Sequence, residues 1–194
     1  MTSRRGVQED RAVNMYFRLL LFLLRVRRKS PLSIWDTSHA SFRVNPADLD
    51  VQRHMNNGRY LSIMDLGRMD LMLRSGFWKK VTDQGWYPVV AGQTITYRRS
   101  LTLGQKFDVA TRVIGYDERW IYMEQVFRRG STVIADAIVR ARFLRTSGGS
   151  VDVQEVLALT GDAPEDQVLP EWVGRWNRES SAHSRGLGEN SRER

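Results

Sequence analysis

The chain has 194 residues, enough for one domain of ordinary size with extensions, and its 41% hydrophobic content with six Trp excludes a disordered or fibrous protein. With no cysteine there is no thiol nucleophile, disulfide framework or Cys-type zinc site, and His39, His54 and His183 are too scattered for a metal motif. The net charge of +8 is uneven: residues 1–30 carry eight Lys/Arg against two Asp/Glu, residues 31–194 carry 22 against 20, so the excess belongs to an N-terminal arm and no nucleic-acid partner is expected.

Residues 1–11 are polar. In residues 12–29, AVNMYFRLLLFLLRVRRK, the uninterrupted apolar run from Leu19 to Leu24 falls far short of the roughly 20 residues of a bilayer span. As a helix this stretch lines up Arg11, Asn14, Arg18, Arg25 and Arg28 on one stripe, with Met15, Tyr16, Phe17, Leu19, Leu20, Phe22, Leu23 and Leu24 around the rest. That pattern suits a helix lying in a membrane interface with its arginines at lipid phosphates, and equally a helix packed on the domain or on a partner subunit. RVRRK stands where a signal peptide would have its small-residue cleavage site, which argues against one. The expected location is cytoplasmic, with membrane-surface contact through residues 12–29 as one of the two readings.

Ser30-Pro31 ends that helix, and His39 to Val44 alternates like a short strand closed by Asn45-Pro46. From Gly58 to about Arg74 apolar residues recur at helical spacing on nearly every face, which predicts a helix buried nearly all round, with Ser75-Gly76 as its stop. An aromatic loop, GFWKKVTDQGWYP, precedes a change of period. Strands are predicted over Val89–Leu101, Phe107–Val113, Trp120–Phe127 and Val133–Phe143, separated by turns at Leu103-Gly104-Gln105, Tyr116–Arg119 and Arg129-Gly130-Ser131. Ala135, Ala137 and Ala141 on one face of the last strand leave room for a helix to come close. A short helix is expected at Val153–Leu159, then an extended segment between Pro164 and Pro170 with Leu169, Trp172, Val173 and Trp176 packing back, and a disordered tail over 178–194.

The chemistry concentrates in Asp48–Tyr60, DLDVQRHMNNGRY, a polar loop delivered to a helix N-terminus. Such an end has N–H groups without intrahelical partners and a partial positive charge, so it favours an oxygen that becomes negative during reaction. Asp50 reads from the residues alone as a turn or capping residue, with a nucleophile or general base as the functional candidate. His54 reads as a structural or catalytic histidine, Asn56 and Asn57 as N-caps or substrate contacts, and Asp65 with Arg68 as an acid/base candidate or a helix ion pair.

The segment DLDVQRHMNNGRYLSIMD resembles the signature of the 4-hydroxybenzoyl-CoA thioesterase-like branch of the hotdog proteins, which also includes Tol-Pal-associated acyl-CoA thioesterases and plant acyl-ACP thioesterases. The resemblance implies an α+β hotdog fold, a curled antiparallel sheet wrapped around one long central helix, over residues 36–160, flanked by a basic extension at 1–35 and a C-terminal extension at 161–194. It also implies that Asp50, ten residues before Tyr60, is the catalytic carboxylate, and that the Asn57 backbone N–H polarises the thioester carbonyl. His54, Asp65 and Arg68 fall on further family positions, whereas Gln52 replaces the Asn that the acyl-ACP branch carries two residues before its His. Asn56, Gly58 and Tyr60 are the expected substrate contacts. The implied activity is hydrolysis of a fatty acyl-CoA without metal or cofactor, by a homodimer or higher homo-oligomer. A non-catalytic acyl-binding or membrane-associated interaction module is the alternative.

Overall fold

The computed structural model describes residues 22–24, 26–161, 163–164 and 167–190, with residues 184–190 as backbone only. In chain order the elements are β1 (Ser38–Arg43), α1 (Asn57–Arg74), α2 (Phe77–Asp83), β2 (Trp86–Tyr97), β3 (Lys106–Tyr116), β4 (Ile121–Arg129), β5 (Thr132–Arg145), α3 (Val153–Leu157) and α4 (Glu171–Asn190). The strands form one antiparallel sheet in the order β1-β3-β4-β5-β2, so β2 crosses over to the far edge before β3 begins. Register shifts at Val90/Gly92, Val113/Gly115 and Phe127/Arg128 put an extra residue into one strand of a pair, which bends the sheet around α1.

α1 is buried nearly all round, as its sequence predicts. Tyr60, Ile63 and Met64 pack against Val109, Phe127, Ala135 and Val139, while Leu71 and Met72 join Val113 and Phe143 in a second cluster. Its third side, at Leu66, is covered by Phe22 and Val26. The described end of the N-terminal stretch therefore packs on the domain, although Leu24 is half exposed. The remainder of the predicted arginine-striped helix, up to residue 21, lies outside the described residues. The stop is also as expected, since Gly76 takes up a left-handed φ of 67°, which costs glycine little.

Contact with the sheet is closest at Gly67. A Cβ there would lie 2.8 Å from Thr111 Oγ1 and 2.9 Å from Gln125 Nε2. Those two side chains are wholly buried, and they are satisfied across the interface: Gln125 Nε2 donates to Met64 O (2.9 Å) and Thr111 Oγ1 (3.0 Å), and its Oε1 accepts from Arg68 Nη1 (2.7 Å). A buried carboxylate, Asp70, is matched by Ser38 Oγ, Lys29 Nζ (2.8 Å) and Arg74 Nη1 (3.1 Å). Burial of ionised groups is tolerable only with such complete pairing.

Three expectations need correction. The aromatic stretch after Ser75 is not all loop: it contains α2, whose apolar anchors Phe77 and Val81 sit at i, i+4, too few over seven residues to register as a period. β2 begins at Trp86, three residues before the predicted start, and includes Pro88, which an edge strand accommodates. The tail expected to be disordered from 178 is helical to Asn190, and the segment that begins at Glu171 is helical too, with Trp172 half exposed. α4 lies on the outer face of the sheet, where Val173, Trp176 and Leu169 pack against Ile114, Trp120, Tyr122 and Ile138. Its contact face then turns polar: Arg140 Nη1 donates to Asn177 Oδ1 (2.6 Å), Ser180 Oγ (2.9 Å) and Ser181 Oγ (3.1 Å), with the guanidinium 5.3 Å from both the Trp120 and Trp176 rings. The half of the helix held by serine and asparagine at i, i+3 and i+4 carries no apolar stripe.

Among the described residues no helix is long and apolar enough to cross a membrane.

Two outcomes follow from the packing around α1. Gly67→Ala should lower stability by about 1–3 kcal/mol through overpacking, read as a lower urea midpoint with an unchanged slope. Burial also pushes the Tyr60 hydroxyl up from 10.0 to about 12, and Tyr122 is raised as well by burial and its bond to Asp117. Because the folded state holds the Tyr60 proton more tightly than the unfolded chain, that stabilisation is complete below pH 10 and is lost as pH rises toward 12. Urea titrations across this interval should show stability falling, and falling less steeply in Tyr60→Phe.

Candidate active site

The loop from Asp48 to Asn56 is tied at both ends. Asp48 is 2% exposed; its carboxylate accepts from Asn45 N–H (2.9 Å) and faces Arg59 Nε at 3.7 Å, and its carbonyl accepts from Asn56 N–H (2.8 Å). Met55 N–H donates to Leu101 O (2.7 Å), which fastens the loop to the chain between β2 and β3. Asp48 is thus scaffold, holding the entry to α1 while its buried charge is compensated.

Asp50 closes the turn between these anchors. Its Oδ1 accepts from the backbone N–H groups of Gln52 (2.9 Å) and His54 (3.1 Å), and its own N–H donates to His54 O (2.8 Å). Arg53 is forced to a left-handed φ of 61° to complete the turn, a conformation uncommon for a residue with a Cβ. Asp50 therefore does act as a turn residue, but with one oxygen; among the described residues Oδ2 has no hydrogen bond. His54 reaches the Asp50 carboxylate through its backbone N–H and not its ring.

Asn56 is the N-cap of α1, its Oδ1 accepting from Gly58 N–H at 2.9 Å. This cap consumes the Gly58 donor, whereas the Asn57 N–H, the first of the helix, has no partner among the described residues. Asn57 O accepts from Tyr97 Oη (3.3 Å), so the end of β2 braces the helix start. Tyr60 is 2% exposed, with Tyr97 edge-on at 5.0 Å and Phe127 at 5.1 Å, which makes it part of the core beneath the site.

Asp65 stands two turns further along α1, about 12 Å from Asn57 by helix rise. It is 69% exposed in its side chain and paired with Arg68, whose other nitrogen reaches the buried Gln125. Burial pulls the Arg68 guanidinium below its ordinary value, against the opposing pull of Asp65. Both residues line a cavity of about 330 Å³ between the C-terminal half of α1 and the sheet, walled by Trp35, Met72, Trp78, Val90 and Phe143 among others. Asp65 and Arg68 are the charged side chains of that lining, and Asp50, His54 and Asn57 are not part of it.

The Arg68–Gln125 contact was not expected from the sequence. Its signal was nonetheless present, because Gln125 falls in the inward phase of β4 between Met123 and Phe127, where an uncharged polar side chain needs a buried partner.

A family model described as the thioesterase-like superfamily matches residues 44–176. Protein THEM6 of Xenopus laevis is 36% identical over 146 residues, which span 74% of this chain and 69% of that protein. The long-chain acyl-CoA thioesterase FadM of Escherichia coli is 26% identical over 125 residues, 63% of this chain and 91% of that protein. Among solved structures, the probable thioesterase YbaW from Escherichia coli superposes with a TM-score of 0.59 at 22% identity, covering 64% of this chain and 98% of that one. The sheet wrapped around α1 is accordingly the hotdog fold.

Proposed function

This chain belongs to the thioesterase-like superfamily, and from that premise we propose that it hydrolyses long-chain acyl-CoA thioesters. The observation that carries the reading is the Asn57 N–H, a donor without a partner among the described residues, at the head of an 18-residue helix and beside a loop that presents Asp50. The thioester carbonyl oxygen accepts from Asn57, and the helix dipole favours the charge that develops on it. Asp50, with Oδ2 free of the turn, either attacks the carbonyl carbon, giving an acyl anhydride that water opens, or takes a proton from the attacking water. In both routes the C–S bond breaks and the thiolate of coenzyme A leaves.

The acyl tail occupies the cavity along α1. The roughly 12 Å between Asn57 and Asp65 suits a long chain better than an acetyl group. FadM, named for long-chain acyl-CoA, supports that choice. A second reading is favoured by one observation: Asp65, and not Asp50, lines the cavity, so Asp65 is the alternative general base.

A two-fold homodimer completes the proposal. Among the described residues β2 pairs on one side only, with β5, and Tyr87, Val90 and Tyr97 along it are exposed. An open 12-residue edge with apolar side chains is a ready pairing surface.

Assay of an acyl-CoA panel decides the chemistry. Asp50→Asn should lose about 100-fold or more in rate with an unchanged circular-dichroism spectrum. The same loss in Asp65→Asn with Asp50→Asn active moves the base to Asp65, and a wild type inert on every chain length leaves acyl binding without turnover. For the assembly, Val90→Lys should halve the mass measured by sedimentation velocity; a monomeric wild type would refute the dimer.

A further inference from the structure

Beside the helix start lies a second recess that the chemistry above does not use. It is a basin of about 700 Å³ lined by Arg99, Ser100, Gln105, Arg129, Gly130 and Thr132 over a floor of Ile134. Two arginines belong to its lining and, among the described residues, no Asp or Glu does. Several other arginines have acidic partners, among them Arg98 with Asp136, Arg112 with Glu124 and Arg145 with Glu155. Among the described residues the Arg99 and Arg129 side chains have no ion pair, and the Ser100 and Thr132 hydroxyls have no hydrogen bond. The backbone underneath is well held, since both Arg98 and Arg99 N–H groups donate to Ile134 O, at 2.8 and 3.0 Å. Gly130 supplies the left-handed φ of 58° that turns β4 into β5 at the rim.

The basin's position gives it meaning. Arg99 lies two residues beyond Tyr97, which donates to Asn57 O, and two residues before Leu101, whose carbonyl accepts from Met55. His54 and Thr102 form a further bridge on the same connection. One short run of chain, 97–102, therefore touches the loop and helix start on one side and supplies the basin on the other.

Like charges held together without a counterion raise each other's energy, and an anion with several oxygens relieves this through charge-assisted, bidentate hydrogen bonds. We propose that Arg99 and Arg129, with the hydroxyls of Ser100 and Thr132, are the subsite for the phosphorylated nucleotide end of coenzyme A. The assignment rests on reading the chain as a thioesterase for CoA esters, and adds what selects the carrier. Coenzyme A carries its thioester at one end and its phosphates at the other, so an enzyme holding the carbonyl at Asn57 needs an anion site nearby. A recess fits a small multiply charged ligand, whereas the acidic surface of a carrier protein would meet a raised basic patch more readily.

The test has a binding arm and a kinetic arm. Calorimetric titration with adenosine 3′,5′-bisphosphate should show saturable binding to the wild type, weakened at least about tenfold in Arg99→Gln/Arg129→Gln. Plain adenosine should bind neither protein. In the kinetic arm the double variant should raise KM for acyl-CoA at least about tenfold, leave kcat unchanged, and leave kcat/KM for the acyl-pantetheine ester unchanged. Equal binding of the bisphosphate by both proteins, or by neither, overturns the subsite, as does capture of an acyl carrier protein through the same arginines without nucleotide binding. A wild type that binds the bisphosphate through these arginines but hydrolyses nothing keeps the subsite and removes the hydrolase reading. Turnover of both esters at equal efficiency, insensitive to the substitutions, does the reverse.

Discussion

The contact at Gly67 is the constraint on which the remaining geometry depends. A helix with apolar residues on every side packs into a curled sheet only if its backbone can approach, and this one does so where Thr111 and Gln125 would collide with any Cβ. The polar atoms exposed by that approach are tied back to the helix through Met64 O and Arg68. Apolar burial alone would let α1 rotate or slide, because hydrophobic attraction has little directionality. The buried Gln125 network sets rotation and depth, and so the direction in which Asn57 and Asp65 point.

With the helix fixed, its two ends do different work. At the N-terminus the backbone leaves one donor open among the described residues: Asn56 takes the Gly58 N–H, the Asp48 carbonyl takes the Asn56 N–H, and Asn57 is left over. Toward the C-terminus, side chains of α1, α2, α3 and four strands converge on an apolar cavity whose charged lining is the Asp65–Arg68 pair. A structural carboxylate and a structural cap thus frame the polar end, and the same helix forms the wall of the apolar one. The division is economical because both features are positioned by one rigid element.

Much of this was legible in the sequence. DLDVQRHMNNGRY reads as a loop entering a helix because the bonds of its Asp50 turn and Asn56 cap are local, between residues two to four apart, and local patterns survive in one dimension. The strands of β3 to β5 alternate cleanly enough to be placed within a few residues. What stayed hidden depends on distant partners. The cavity needs residues from Ile34 to Thr160 brought together, and α4 is held by Arg140, 37 to 41 positions away, through side chains that carry no apolar signal. Tyr60 shows the same limit: its spacing from Asp50 suggests a substrate contact, but its ring faces inward between Tyr97 and Phe127.

Arg140 has one more consequence. Its guanidinium, clasped by two indole rings and the polar face of α4, ties that helix over part of the side of the sheet that α1 leaves bare. Around this clasp the sheet carries a helix on each side, while Asp108, Arg112 and Arg128 on the same outer face stay exposed. Where α4 lies, strand backbone sits beneath indole and guanidinium, so a second sheet has no bare face to stack on at that end.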